Sequence, residues 1–316
     1  MEALGQAQHT GATPGANTLG VARRRWGEVA IKVGLFAAAI VSVLTTVGIL
    51  VALLGETFAF FREVGITRFF TETEWAPLFA DPKYGIWPLI NGTFLITGIA
   101  IAVAIPLGLG SAIYLSEYAS DRLRRIVKPA LEVLVGVPTV VFGYFALTFV
   151  TPVLLRELLG MQVQIFNAWS AGLVMGIMVL PTIASVSEDA MRAVPASLRE
   201  GAFGLGASRL QVSLRVVVPA ALSGIVAAVV LGISRAIGET MIVLVAAGQV
   251  PNLGIDPAQS YETITTFIAA TGKGDVPTGS IGYKTIFAAG TTLFVLTLAM
   301  NLIAIRFVRR YREVYE

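Results

Sequence analysis

Long uncharged apolar runs, separated by charged connections, dominate the pattern of this chain. Six of these runs are long enough to cross the apolar core of a bilayer, which takes about 20 helical residues. They cover residues 33–54, 88–115, 133–155, 165–187, 216–248 and 285–305. The fifth run contains Arg235 and Glu239, and it counts as one span only if both charges are tolerated inside it. The pattern predicts an all-α integral membrane protein with six transmembrane helices.

The distribution of Lys and Arg over the connections predicts the orientation of the chain. Sixteen of them lie in the N-terminal flank, the second-to-third and fourth-to-fifth connections and the C-terminus, and six lie in the other connections. Cytoplasmic connections carry the excess of basic residues, so we expect both termini in the cytoplasm. Residues 1–25 lack periodicity and are rich in Gly, Ala and Thr, which predicts a disordered cytoplasmic tail. Residues 26–316 form the predicted transmembrane domain.

Composition excludes several kinds of chemistry. The chain has no cysteine, and its single histidine, His9, lies in the predicted tail, so thiol nucleophiles, buried histidine bases and the usual Cys or His metal sites are excluded. An intramembrane enzyme would have little chemistry left, and we expect no cofactor. No GxxxxGKS or GxxxxGKT pattern occurs, so any ATP-driven process needs another subunit. The net charge of +3 is explained by basic cytoplasmic connections and predicts no nucleic-acid partner.

The connection between the fourth and fifth runs has a pattern of its own. Leu198, Ala202, Leu205 and Leu210 form an apolar stripe at helical spacing, which glycines interrupt. A short helix with small residues on the cytoplasmic side suits docking into a groove of another protein. The alternative is an ordinary connecting loop that contains a helical turn.

This connection resembles the "EAA" loop of ABC-importer permeases. The resemblance rests on Glu200, Gly201, Ala202 and Gly206, followed by the aliphatic pair and proline of "VVVP" at 216–219. Gly201 departs from the usual alanine of the family. The resemblance implies that residues from about 195 to 215 form a coupling helix that sits in a cleft of an ATPase subunit.

Four further segments are similar to the permeases of the phosphate-specific ABC importer, and one of them favours the PstC type. These segments are "WPLINGTFLIT" (87–97), "VGVPTVVFGYFAL" (135–147), "RAIGETM" (235–241) and, for the PstC type, "EWAP" (74–77). The resemblance implies a type I ABC-importer permease fold in the plasma (inner) membrane of a prokaryote. It implies as partners a second permease subunit of PstA type, dimeric P-loop ATPase subunits, an extracytoplasmic phosphate-binding protein and membrane lipid. A permease for another oxyanion, sulfate or molybdate, is the alternative.

Arg235 and Glu239 are the candidate functional charges of the fifth run. On one continuous helix, residues four apart share a face at about 6 Å. The two residues form a structural ion pair, or Arg235 contacts an anion in a transport path, or the pair belongs to a proton relay. The guanidinium fork matches a tetrahedral oxyanion, and the hydroxyls of Ser234 and Thr240 lie nearby.

The third run contains a proline beside small and polar residues. Pro138 and Thr139 fall within "GVPTVV", which predicts a kink in the third span. The kink either serves packing alone, with its freed carbonyl satisfied by a neighbour, or bends a segment that lines the path together with Thr139.

Overall fold

The computed structural model describes the backbone of residues 26–310. The predicted disordered tail, 1–25, lies outside the described residues. The chain divides into two compact units between Val51 and Ala52. This boundary falls inside the first helix, Trp26–Val64. In the first unit, the side chains of residues 27–49 are exposed.

The described residues are mostly helical, with one short antiparallel hairpin. The elements in chain order are α1 Trp26–Val64, α2 Ile66–Thr71, β1 Trp75–Ala76, β2 Lys83–Tyr84, α3 Trp87–Ile113, α4 Asp121–Val135, α5 Thr139–Phe145, α6 Ala168–Arg192, α7 Ala196–Gly204, α8 Arg209–Val212, α9 Val218–Ala220, α10 Leu222–Ile237, α11 Met241–Ala246, α12 Ile264–Lys273 and α13 Ile281–Arg310. Wider π-helical segments follow α3, α5 and α8, at Tyr114–Tyr118, Ala146–Leu158 and Ser213–Val217. In the hairpin, Trp75 pairs with Tyr84 and Ala76 with Lys83.

Six spans can be counted among the described residues. Five helices are long and apolar enough to cross a membrane, and a sixth span results if the pair Arg209–Ala220 and Leu222–Ile237 counts as one. That pair is bent by 73°, next to Pro219, which lacks a backbone donor. The predicted all-α membrane architecture is confirmed.

Two predicted spans are interrupted at positions where the apolar pattern of the sequence continues. The third run, 133–155, was expected to be one kinked span, but α4 ends at Val135 and α5 begins at Thr139. Pro138 therefore precedes a new helix, where its fixed φ and missing donor cost little, instead of kinking a continuous one. The fifth run, 216–248, was expected to be one span, but α10 ends at Ile237 and α11 begins at Met241.

The main hydrophobic core lies around α6, which packs against α3 on one side and α10 on another. Small residues set the spacing at both contacts. A Cβ at Gly176 would lie 2.8 Å from the carbonyl oxygen of Ala100 on α3, and a Cβ at Gly232 on α10 would lie 2.8 Å from Ile183 on α6. Glycine at these positions allows the helix backbones to approach closely, as is common between membrane helices.

Aromatic residues form a second core around the hairpin. Phe60, Phe69 and Trp75 meet edge to face, and Trp75 also contacts Phe267 of α12 with 4.9 Å between ring centroids. The stretch "YETITTFIAA", residues 261–270, contains the first part of α12. The first turn of α12 is buried, because the helix packs against α3 and α13.

Candidate functional site

A break between α10 and α11 places polar groups inside an otherwise apolar part of the chain. Gly238, Glu239 and Thr240 connect the two helices. The C-terminal end of α10 carries Arg235 in its last turn, a position that favours a cation through the helix dipole. Broken helices whose ends face each other supply substrate sites in many transporters, because their free backbone groups and side chains can meet an ion.

Glu239 caps the helix that follows the break. Its Oε1 accepts hydrogen bonds from the backbone N–H groups of Met241 (3.0 Å) and Ile242 (3.2 Å). Its own carbonyl oxygen accepts a hydrogen bond from Thr265 Oγ1 on α12 at 2.8 Å. The side chain is 9% exposed. Glu239 therefore satisfies donors at the start of α11, as side-chain caps do.

Arg235 hydrogen-bonds a residue of another helix. Its Nη1 donates to Thr182 Oγ1 of α6 at 3.2 Å, and the side chain is half-buried. Within the described residues, no ion pair joins Arg235 to Glu239. The two residues do not share a face of one continuous helix, because α10 ends two residues before Glu239. The guanidinium keeps donors that no carboxylate of residues 26–310 occupies.

Two residues with hydroxyl groups, Ser234 and Thr240, lie near the break and have different partners. Ser234 Oγ donates to Asn301 Oδ1 of α13 at 2.9 Å, so it joins two helices. Thr240 precedes α11 and is half-buried, and its Oγ1 lies 3.4 Å from Gly238 O. Thr240 lies in the break, three residues after the end of α10, the helix that carries Arg235.

The "GVPTVVFG" segment lies against the break. Thr139 is the half-buried first residue of α5, one turn before Gly143. A Cβ at Gly143 would lie 3.0 Å from Met241 O and 3.1 Å from Ile242 Cα. The backbones of α5 and α11 therefore touch directly after the break. Two segments that share a family resemblance in the sequence are neighbours in space.

The connection at 195–215 contains two short helices and a glycine turn. Helix α7 ends at Gly204, Gly206 adopts a φ of 82°, and Ser208 opens α8 with a reciprocal capping box to Gln211. Only glycine takes up such a positive φ without strain. The predicted single coupling helix is thus a helix–turn–helix.

The turn of this connection presents an apolar tip. Leu198 and Ala202 of the predicted stripe pack on a core cluster with Val212 and Met191, whereas Leu205 is 91% exposed and Leu210 is also exposed. Glu200, Gly201 and Gly206 are exposed beside them. The stripe therefore divides into an anchoring half and an exposed half.

Arg199 fastens α7 to the end of α3. Its guanidinium donates to the carboxylate of Glu117 (3.2 Å) and to the carbonyl oxygens of Met191 (2.8 Å) and Val194 (2.6 Å). Charge-assisted bonds of this kind are shorter and stronger than neutral ones. Motion of α7 would therefore be transmitted to the cytoplasmic ends of α3 and α6.

Sequence reasoning missed a buried acid at the cytoplasmic end of α6. Glu188 is fully buried, and its carboxylate lies 2.8 Å from Lys128 Nζ and 3.5 Å from Arg124 Nε, both on α4. Lys128 also binds Asp189, which is exposed. The fourth apolar run ends at residue 187, directly before Glu188. The basic helix that follows the second span was the available signal for a partner acid.

Apolar spans that enclose polar groups, and a basic connection with an exposed apolar tip, are typical of a membrane transport subunit that docks on another protein. Residues 104–313 match the binding-protein-dependent transport system inner membrane components, and the chain belongs to this family. Membership implies a second permease subunit, ATPase subunits and a binding protein as partners. The chain is a multi-pass membrane transporter subunit, and ATP hydrolysis is the task of a partner.

Relatives from several bacteria are similar over most of the chain. The probable ABC transporter permease protein YqgH of Bacillus subtilis (strain 168) is 34% identical over 300 residues, which are 92% of this chain and 94% of that protein. The phosphate transport system permease protein PstC 1 of Mycobacterium tuberculosis is 37% identical over 77% of this chain and 82% of its own. PstC of Haemophilus influenzae is 34% identical over 72% and 76%.

Solved structures show the same fold. One chain of a bacterial ABC transporter for import of the acidic polysaccharide alginate has a TM-score of 0.64 at 17% identity, over 91% of this chain and 99% of that one. A chain of the inward-facing MetNI methionine ABC transporter gives 0.56 at 18% identity, over 72% and 98%. The chain has the type I ABC-importer permease fold.

Proposed function

We propose that this chain is one of two permease subunits of an ATP-driven importer for inorganic phosphate. The substrate assignment is supported by relatives at 34–37% identity that are named phosphate transport permeases. The residue-level observation that carries it is Arg235, whose guanidinium hydrogen-bonds a hydroxyl and no carboxylate of the described residues. Its remaining donors fit the oxygens of a tetrahedral oxyanion.

The anion would pass the break between α10 and α11, where Arg235 is the substrate contact. Thr240, in the break, and Thr139, on the helix packed against it, offer further hydroxyls, while Glu239 and Ser234 hold the surrounding elements. The contact must be weak enough for release, because a tight site would hold the ion. The second permease, which we propose to be PstA-like, would complete the path.

Residues 195–215 would transmit the ATPase cycle. Glu200, Gly201, Ala202 and Gly206 belong to the connection whose tip exposes Leu205, and small exposed residues allow a partner to approach closely. When the two ATPase subunits close on ATP, movement of α7 would reach α3 and α6 through Arg199. The path would then open alternately to each side.

Uptake of labelled phosphate tests the proposal. The chain is produced with its partner permease, ATPase and phosphate-binding protein in bacterial cells that lack their own high-affinity phosphate import. Uptake that depends on this chain, and that excess unlabelled phosphate suppresses while sulfate and molybdate do not, supports the assignment. Suppression by sulfate or molybdate, or uptake without the ATPase, contradicts it.

A further inference from the structure

A cavity lies on the predicted outer side of the chain, away from the break. Its volume is about 560 Å³, and its walls come from the segment that begins with β1, from residues 249–251 and from α12 with the residues after it. Trp75, Leu78 and Phe267 make the walls largely apolar. Both connections that build it, 56–85 and 250–282, are external according to the distribution of basic residues.

In the part of the chain that the structure describes, Glu262 is the one charged residue that lines this cavity. It is 6% exposed. Its backbone is held on two sides, because its N–H donates to Val250 O at 2.9 Å and its carbonyl oxygen touches Gly92 of α3 so closely that a Cβ there would lie at 2.3 Å. Within the described residues, its carboxyl group has no ion-pair partner. A carboxylate in an apolar pocket without a counter-charge is costly unless it is protonated or a cation arrives.

Burial is the cause that raises the pKa of Glu262 from 4.5 to about 8. Of the other titratable groups on the surrounding segments, Glu74, Lys273 and Asp275 do not line the cavity. Tyr261 points its hydroxyl to the carbonyl of Asp256 at 3.1 Å, and α3 carries no ionisable side chain. The group is therefore close to half-protonated at mildly alkaline pH.

We infer that this cavity receives a lysine or arginine side chain of the extracytoplasmic binding protein, with Glu262 as its counter-charge. The inference rests on the proposed function for the identity of that binding protein. Charge complementarity selects a cation, since the cavity supplies one buried acid and no base. The apolar walls accept the aliphatic stem of such a side chain, and Trp75 and Phe267 add to the cavity wall aromatic rings, which attract cations.

Docking is then linked to a proton. The incoming cation binds the ionised carboxylate, so the proton of Glu262 leaves to solvent when the binding protein docks. With a pKa of about 8, the ionised fraction rises from about 3% at pH 6.5 to about 90% at pH 9. The affinity for the binding protein should rise by up to about 30-fold over the same range.

The experiment measures the affinity of the phosphate-loaded binding protein of the same organism for the complete transporter in nanodiscs. Wild type, Glu262→Gln and Asp275→Asn are compared from pH 6.5 to pH 9. Asp275 is exposed and near the cavity without lining it, so its variant controls for a lost negative charge. We expect Glu262→Gln to bind at least tenfold more weakly than wild type at pH 9 and to lose most of the pH dependence. Asp275→Asn should stay within twofold of wild type.

Equal affinity of Glu262→Gln and wild type across this pH range would overturn the inference, and so would a flat pH profile of the wild type. If Glu262→Gln does not assemble, the wild-type profile alone decides. The basic residues on the docking face of the binding protein are then replaced one at a time. For one of these variants, Glu262→Gln should cause no further loss of affinity. If only this inference is wrong, the wild type still takes up phosphate. If the proposed function is wrong, the wild type shows no phosphate-specific uptake.

Discussion

The guanidinium of Arg235 is held by the hydroxyl of Thr182 and by no carboxylate of the described residues, which suits the anion contact that we propose for it. A guanidinium in an ion pair must give up its partner before it binds phosphate. Among the described residues Arg235 has no ion-pair partner, so most of its donors are available, while the 3.2 Å bond to Thr182 orients it. Glu239 is committed to the backbone of α11. The two charges of "RAIGETM" therefore have separate tasks.

Replacing Arg235 by Gln should lower phosphate uptake by about ten- to a hundredfold at unchanged membrane abundance. A hydrogen bond to a charged group contributes about 1.5–3 kcal/mol, and Gln lacks the charge. Arg235→Lys should keep part of the activity, since it retains the charge without the fork. Labelled phosphate uptake and immunoblots of the membrane fraction measure both effects.

The double variant Arg235→Gln with Glu239→Gln separates substrate contact from a structural pair. Because the two residues do not pair, the double variant should be as inactive as Arg235→Gln. Uptake restored to near the wild-type rate at equal abundance would mean that Arg235 matters only as the partner of an acid.

Stability of the protein should depend on pH through Glu262. Its pKa is about 8 in the folded chain against 4.5 ordinarily, so the folded state holds the proton more tightly. Stability contributed by this group is therefore full below about pH 4.5 and falls as pH rises to about 8. Glu262→Gln should melt at a higher temperature than wild type at pH 9 and at nearly the same temperature at pH 5. Thermal unfolding in detergent measures this, and a variant that is less stable at pH 9 contradicts it.

At the scale of elements, the direct contact of α5 with α11 keeps the break in place. Gly143 has no room for a side chain, because a Cβ would meet the backbone of Met241 and Ile242 at 3.0–3.1 Å. Backbone cannot move aside as the end of a flexible side chain can. The position of α11, and with it the cap at Glu239, depends on this glycine.

Gly143→Ala should destabilise the protein by about 1–3 kcal/mol, the usual cost of overpacking, and should reduce uptake. Gly98→Ala is the matched control, since nothing lies within 4 Å of a Cβ at that position of α3. In a helix, this control change gains up to about 1 kcal/mol. Similar unfolding temperatures for the two variants would show that α5 and α11 can separate freely.

The exposed tip of the 195–215 connection predicts where the ATPase docks. Glu200→Lys should reduce co-purification of the ATPase and lower uptake at least about tenfold, because a reversed charge at an interface costs several kcal/mol. Glu200 is exposed, so membrane abundance should not change. Glu200→Gln, which keeps the shape, should have a smaller effect. Normal association and uptake in Glu200→Lys would contradict the coupling role.

For the whole molecule, a network of charges joins elements at the cytoplasmic ends of the helices. Glu188 of α6 binds Lys128 and Arg124 of α4, and Arg124 also donates to the carbonyl oxygen of Leu115 after α3 at 2.8 Å. Arg199 continues this network into α7. Burial makes such a network costly to break, because one missing member leaves charges unpaired.

Glu188→Ala should therefore lower the free energy of unfolding by about 3–5 kcal/mol and reduce membrane abundance. Asp189→Ala is the control: Asp189 binds the same Lys128, but its side chain is 62% exposed, and exposed pairs contribute about 0–1 kcal/mol. Immunoblots and thermal unfolding compare the two variants. Equal losses of stability and of membrane abundance in the two variants would mean that the burial of Glu188 does not contribute to stability.

The sequence by itself determined the class and the organisation of this protein. Apolar runs, the distribution of basic residues and the spacing around Glu200 are local features, and each predicted a feature of the fold: six spans, an orientation and a short helical connection. Five long helices and one bent span among the described residues confirm the prediction of six spans. Local patterns succeed here because a lipid environment demands long apolar helices whatever the neighbours are.

Only the tertiary structure decided what the charged residues do. Arg235 and Glu239 lie four residues apart in the sequence, yet their partners are Thr182, 53 residues away, and the backbone that follows the break. The burial of Glu188 depends on α4, and that of Glu262 on Gly92 and the hairpin. A side chain selects its partner by distance in the folded chain. The break after Ile237 is held by Thr265 of α12, which donates to Glu239 O, and by the packing of α5 against α11. Helical periodicity cannot contain that information.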